Sequence, residues 1–142
     1  MMKNIYEILD EFEMADSKKA KMQVIENNLS KTFVDVLQLT YHPNFQWLIT
    51  EMPEEYKIPS DQMPGLTRTQ MSSEIRKLYL FEKGNPAAER LTPRKRIEIL
   101  IQILEGLEPR EAEVIIGIFN KDLGVKGLNY KFIKEAFPTL LP

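Results

Sequence analysis

The residues best suited to chemistry gather at the end of the sequence, in NKDLGVKGLNYKFIKEAFPTLLP (residues 120–142). Lys121, Lys126, Lys131 and Lys134 surround two glycines, Gly124 and Gly127. Glycine lets a backbone take positive φ and approach another surface closely. A helix ending before this turn, with a second starting near Leu128 or Asn129, would point unpaired backbone N–H groups outward. Such groups bind phosphate without reading bases. Lys126, Lys131 and Lys121 would add long-range attraction for a polyanion. The same spacing also suits a tight helix–helix corner closed by glycine, with ordinary lysines in solvent.

Arg90, Arg94, Lys95 and Arg96 form a second basic cluster around a helix start. Positive charge at a helix N-terminus opposes the macrodipole, so helix stability alone does not place it there. Simple solvation, or pairing of Arg90 with Glu89 or Glu98, is the plainer account.

Constellations for catalysis are missing. His42, directly before Pro43, is the single histidine, and there is no cysteine. A histidine-based metal cage, a charge-relay system, a thiolate site and a disulfide are therefore all ruled out. Neither a G-x-x-x-x-G-K-[ST] loop nor G-x-G-x-x-G occurs. The carboxylate pairs Glu54/Glu55 and Glu111/Glu113 fall in a loop and at a helix start, and Glu111 and Glu113 suit the helix dipole. The expectation is a protein that is not an enzyme and has no cofactor, metal or small-molecule substrate.

The elements that would carry these residues read as helices. Ile5, Ile8, Leu9 and Phe12 recur at helical spacing, and DSKKAKMQVIENNLS offers Asp16 or Ser17 as cap with Met22, Ile25 and Leu29 on one face. KTFVDVLQLTYHP aligns Phe33, Val36, Leu37 and Thr40 or Tyr41 and stops at Pro43, which cannot donate a helical hydrogen bond. NFQWLITEM reads as a short helix. Prolines 53, 59 and 64 mark an irregular loop at about 51–66. Helical signals resume at Thr67, with an exit at Gly84. Asn85-Pro86 and Thr92-Pro93 each read as a cap followed by proline in the first turn. In RKRIEILIQILEGL, Ile97, Leu100, Ile101 and Leu104 form a core stripe, and the helix from Pro109 is expected to end at Gly124. Leu123, Leu128, Phe132, Ile133 and Phe137 read as core. The expectation is an all-α fold, one compact domain over residues 1–142 with about seven to nine helices and no sheet.

The chain has 142 residues, with a formal net charge of −2. Residues 1–60 hold 6 basic and 10 acidic groups, whereas residues 61–142 hold 13 basic and 11 acidic, so a nucleic-acid face belongs in the second half. No apolar run approaches the roughly 18 residues of a membrane span, and the start MMKNIYEILDEFE lacks a signal peptide's apolar centre. A cytoplasmic location is expected, without membrane association.

The closing segment, together with LQLTY at 37–41 and GNPAAERLT at 84–92, resembles the N-terminal all-helical DNA-binding domain of ATP-dependent DNA ligases, T-even bacteriophage type. The motifs come in that family's order and span most of the chain. The chain also resembles small stand-alone proteins of T-even-like phages, which implies a location in the host cytoplasm. The ligase domain lies across the duplex minor groove and grips phosphates near a nick, largely independent of sequence. By position, the resemblance implies DNA contacts from Lys121, Gly124, Lys126, Gly127 and Lys131, with Asn129 capping the backbone. The lysine–Asp–Gly motif that takes AMP is absent, KDLG at 121–124 being a superficial echo, so ATP, magnesium and strand sealing do not follow. The expected function is a non-catalytic accessory protein binding double-stranded or nicked DNA. The alternative is a protein-interaction module for a replication, transcription or host partner, using Met52, Tyr56, Ile58 and Met63 in the proline-rich loop.

Overall fold

The computed structural model describes residues 3–49, 52–53 and 69–142. Eight α-helices and one 3-10 helix make up the fold of the described residues, with no strand beyond an isolated bridge. They run α1 (Ile5–Met14), α2 (Lys18–Asn27), α3 (Lys31–Tyr41), α4 (Met71–Glu74), a 3-10 helix (Ile75–Phe81), α5 (Pro86–Glu89), α6 (Pro93–Gly106), α7 (Pro109–Phe119) and α8 (Tyr130–Ala136).

Side-chain caps start most of these helices. Ser17, Ser30, Asn85, Thr92 and Asn129 each accept a hydrogen bond from an amide of the first turn that has no partner inside the helix. Proline opens α5, α6 and α7, where its missing N–H costs nothing.

Helix α7 is the centre of the packing and touches α1, α3 and α6. It buries Ala112, Val114, Ile115, Gly117, Ile118 and Phe119. Against it, α1 buries Ile5, Ile8, Leu9 and Phe12, and α3 buries Phe33, Val36, Leu37, Thr40 and Tyr41. Each fully buried Leu, Ile or Phe in such a core contributes about 1.5–3 kcal/mol.

Several sequence expectations shift. NFQWLITEM is not helical over its described residues: Trp47 forms an antiparallel bridge with Glu82, Leu48 N donates to Phe81 O (2.7 Å), and Lys83 N donates to Gln46 O (2.8 Å). After Pro43 the Asn44 and Phe45 amides turn back onto His42 (3.1 and 3.2 Å), and Leu48 N finds its partner across the molecule, not one helical turn back. The apolar stripe of α6 is rotated, with Leu100, Ile103 and Leu104 buried and Ile97 and Ile101 only partly so. Arg96 on the same helix is buried, which turns the inner face toward it. Leu29 lies beyond the end of α2 and is exposed. The helical signals before Gly84 resolve into α4 and the 3-10 helix, which stops at Phe81. The expected restart at Thr67 and most of the irregular loop lie outside the described residues.

Candidate nucleic-acid interface

The basic corner is built by how α7 ends. Asn120 is the C-cap and Lys121 follows in the left-handed region, with φ of +59°. Lys121 N donates to Ile118 O (3.1 Å) and Asp122 N to Gly117 O (3.0 Å). That pair of reverse bonds is the Schellman closure, whose left-handed position glycine usually occupies. The expected stop at Gly124 is therefore corrected to the turn at Asn120–Lys121. Gly117 permits the closure, because a Cβ there would stand 3.0 Å from Asp122 O and 3.1 Å from the Leu123 Cα.

A lysine in a glycine's position has a cost of about 1–2 kcal/mol. Its side chain supplies the compensation: Lys121 Nζ donates to Leu39 O (3.2 Å), His42 O (2.9 Å) and Phe45 O (2.9 Å). The ammonium sits at the C-terminus of α3, the sign the helix dipole favours, and satisfies carbonyls the helix leaves open. Burial pulls its pKa below the usual lysine value. Lys121 is thus committed to the protein's own backbone, a correction to its assignment as a phosphate contact.

From Lys121 the chain turns through two further left-handed residues, Gly124 (φ +77°) and Gly127 (φ +87°), both exposed and with open space where a Cβ would stand. Asp122 Oδ1 accepts from Gly124 N (2.8 Å), and Leu128 N donates to Val125 O (3.1 Å). The buried Tyr41 hydroxyl joins the two ends of this turn: it accepts from Leu123 N (3.2 Å) and donates to Leu128 O (3.1 Å). Burial, with the Asp122 charge adding to it, pushes the phenol up to about 12 against the opposing bond from Leu123 N.

Beyond the turn, Asn129 Oδ1 accepts from Phe132 N (2.9 Å) and starts α8. Lys126 and Lys131 are exposed, and neither is hydrogen-bonded or ion-paired among the described residues. Glu135, which lies in the field of Lys131, is ion-paired with Lys18 (2.8 Å). Lys134 turns back to cap Pro138 O and Leu141 O. Of the four lysines in the closing segment, two serve the fold and two face outward. Leu128, Phe132 and Ile133 are buried, while Leu123 and Phe137 pack partly buried against the core.

The arginine cluster divides in the same way. Arg96 is only 9% exposed and points its guanidinium at Ala88 O (3.3 and 3.1 Å), tying α6 to α5. Its place in the DNA-contacting set is corrected to a structural one. Arg90 is exposed and unpaired among the described residues. Arg94 and Lys95 share a single carboxylate, Glu98, at 3.6 and 3.7 Å. Exposed pairs at such separations hold their partners weakly, at about 0–1 kcal/mol. The outward basic set is therefore Lys126, Lys131, Arg90, Arg94 and Lys95.

At the opposite end of α7, Glu111 is buried and accepts from Tyr6 N (2.8 Å), capping α1 with a charge that suits its N-terminus. Burial raises its pKa against the bonds from the Tyr6 and Ile5 amides, and Glu108 and Glu7 push the same way. A cleft of about 450 Å³ opens here, lined by Lys3, Asn4, Ser30, Glu108 and Glu111 among others. Its carboxylates are occupied with helix amides: Glu108 accepts from Arg110 N (3.0 Å) and Glu111 from α1.

Among the described residues no group of three or more acidic or histidine side chains could hold a metal, and no helix is long and apolar enough to cross a membrane. Met52 packs partly buried against the core, whereas Tyr56, Ile58 and Met63 lie outside the described residues. Sequence reasoning set Thr40 or Tyr41 on the buried face of α3, but missed the role of the Tyr41 hydroxyl and the left-handed Lys121. A tyrosine at the end of an apolar stripe carries no mark that its hydroxyl will close a distant turn.

None of the curated proteins compared with the chain matches it. One family model does, over residues 8–125, a span that includes Tyr41, Lys121 and Gly124 and ends just before Lys126. The chain belongs to that family, a family of unknown function (DUF6433).

Proposed function

We propose that this protein is a non-catalytic DNA-binding accessory protein that grips the sugar–phosphate backbone of duplex or nicked DNA, largely independent of sequence. The observation that carries the reading is the pairing of two exposed ammonium groups, Lys126 and Lys131, neither hydrogen-bonded nor ion-paired among the described residues, with an open left-handed glycine turn. A backbone without side chains can come close to a phosphate, and lysines beside it neutralise the charge. Arg90, Arg94 and Lys95, at the end of α5 and the start of α6, are the further outward cations of this reading. The resemblance to the ligase DNA-binding domain supports the same reading and a setting in phage replication, repair or transcription. Among the described residues, the exposed large apolar side chains are Met14, Leu29, Tyr79 and Tyr130, each on a different stretch of the sequence.

Affinity for nicked, intact and single-stranded DNA at a series of salt concentrations tests the proposal. Released counterions give a log–log slope of about −0.9 per neutralised phosphate. All five outward cations predict a slope of about −4.5, and the two corner lysines alone about −1.8. Binding that ignores salt would overturn the reading.

A further inference from the structure

The glycine turn has more internal support than a solvent-exposed turn requires. Its two ends, Leu123 and Leu128, meet on one buried hydroxyl, that of Tyr41, through bonds of 3.2 and 3.1 Å. Two residues upstream, Lys121 bends the chain in a left-handed conformation and anchors to three carbonyls of α3 and the segment after it. Tyr41 is the last residue of α3, and the carbonyls of Leu39 and His42 flank it. The end of one helix therefore fixes both the entry and the neck of the turn. Between Leu123 and Leu128, Gly124, Lys126 and Gly127 face solvent, while Val125 packs partly buried against the core.

A loop that must be ordered on binding surrenders part of its interaction energy, and one held beforehand keeps it. From this we infer that Tyr41 and Lys121 are positioning residues: they touch no DNA, but they hold the Leu123–Leu128 turn in its binding shape before DNA arrives. The inference rests on the reading of that turn as the backbone-binding surface. It adds that the affinity of the surface is set from inside the molecule, by a hydroxyl that carries no charge and lies out of reach of phosphate. Tyr41→Phe removes the two neck bonds and leaves every cation in place. Lys121→Gly keeps the left-handed turn, which glycine adopts freely, and removes the anchor.

The test measures nicked-duplex affinity for the unaltered protein, Tyr41→Phe, Lys121→Gly, Lys126→Glu/Lys131→Glu, and Tyr41→Phe in that charge-reversed background. A distant core variant, Ile8→Val, controls for lost stability. Tyr41→Phe is expected to weaken binding about fivefold to tenfold with the salt slope unchanged, since no phosphate contact is removed. Lys121→Gly should weaken it in the same direction. In the charge-reversed background Tyr41→Phe should add no more than about twofold, because the two changes act on one surface. Ile8→Val should lower stability and leave affinity within about twofold, which separates positioning from a general structural role.

If the lysine variant loses affinity while Tyr41→Phe binds as the unaltered protein does, the positioning inference is overturned and the DNA-binding reading stands. If the unaltered protein binds no better than the charge-reversed variant, the DNA-binding reading falls and the inference with it. Amide exchange on the unaltered protein decides the matter should Tyr41→Phe not fold. The Leu123 amide is expected to be protected without DNA and to change little at saturation, and protection that appears only with DNA would overturn a preformed turn.

Discussion

The two ends of α7 solve one problem with opposite charges. In its first turn Glu111 reaches the N-terminus of α1, and just past its last turn Lys121 reaches the C-terminus of α3. Each charge has the sign that the neighbouring helix dipole favours. Their surroundings differ. Glu111 is 5% exposed, faces a cleft with Glu108 and Glu7 near it, and has its pKa raised by burial. Lys121 is half-buried and leads directly into the exposed turn that carries Lys126. One end of the helix is architecture alone, while the other connects architecture to a surface. A charge therefore takes its role from the groups it faces, not from the cluster it belongs to in the sequence.

That contrast can be broken most forcefully at the surface itself. Lys126→Glu/Lys131→Glu should reduce nicked-duplex affinity by on the order of a hundredfold at low salt and flatten the salt slope, with the melting temperature unchanged. Anisotropy titrations paired with thermal melts would check both halves.

Removing the anchor comes next. Lys121→Met keeps the stem but removes the ammonium from the Leu39, His42 and Phe45 carbonyls, of which His42 O keeps the bond from Phe45 N, and should cost about 2 kcal/mol by urea denaturation. Lys121→Gly should cost about 1 kcal/mol less than Lys121→Met, because glycine accepts φ of +59° without strain. Equal losses in the two variants would remove the left-handed strain from the account.

Gly117→Ala sharpens the same end of α7. The added methyl would press on the Asp122 carbonyl and the Leu123 Cα at 3.0 and 3.1 Å, both backbone atoms. Crowding there outweighs the gain in helix propensity of about 1 kcal/mol, so a net loss of about 1 kcal/mol is expected.

The smallest effect belongs to the other end. Because burial raises the pKa of Glu111 in the folded state, the folded protein holds that proton at pH values where the unfolded chain has released it. Its stabilising contribution is complete below the ordinary carboxylate value and is lost as the pH rises through the raised one. Relative to Glu111→Gln, the wild type should gain stability as the pH falls from neutral toward that ordinary value. DNA affinity should not follow this pH profile. Asp10 and Glu135, whose pKa values are lowered by Arg110 and Lys18, work in the opposite sense, which makes the difference between variants the informative quantity.

Much of the helical plan was visible in the sequence. Ser17, Asn85-Pro86 and Thr92-Pro93 announce their helix starts, and the stripes Ile5–Phe12 and Phe33–Leu37 name their buried faces. These signals are local: a cap or a period of 3.6 residues is complete within a few turns. What escaped depends on distant partners. Trp47 pairs with Glu82 across the chain, so the helical pattern around it misleads. The inward turn of Arg96 follows from the Ala88 carbonyl, which no periodicity foretells. At the corner, the glycines and lysines were legible as a group, but their division was not. Lys121 and Lys126 look alike in sequence, and only the carbonyls at the end of α3 separate the anchor from the exposed cation.

The central claim is that the outward lysines of the turn meet a phosphate backbone. Nicked-duplex affinity of the unaltered protein and of Lys126→Glu/Lys131→Glu, each measured across a salt series, tests it most directly. The account predicts tight, salt-sensitive binding for the first and a shallow slope with greatly weakened binding for the second. Superimposable salt curves for the two proteins would contradict it.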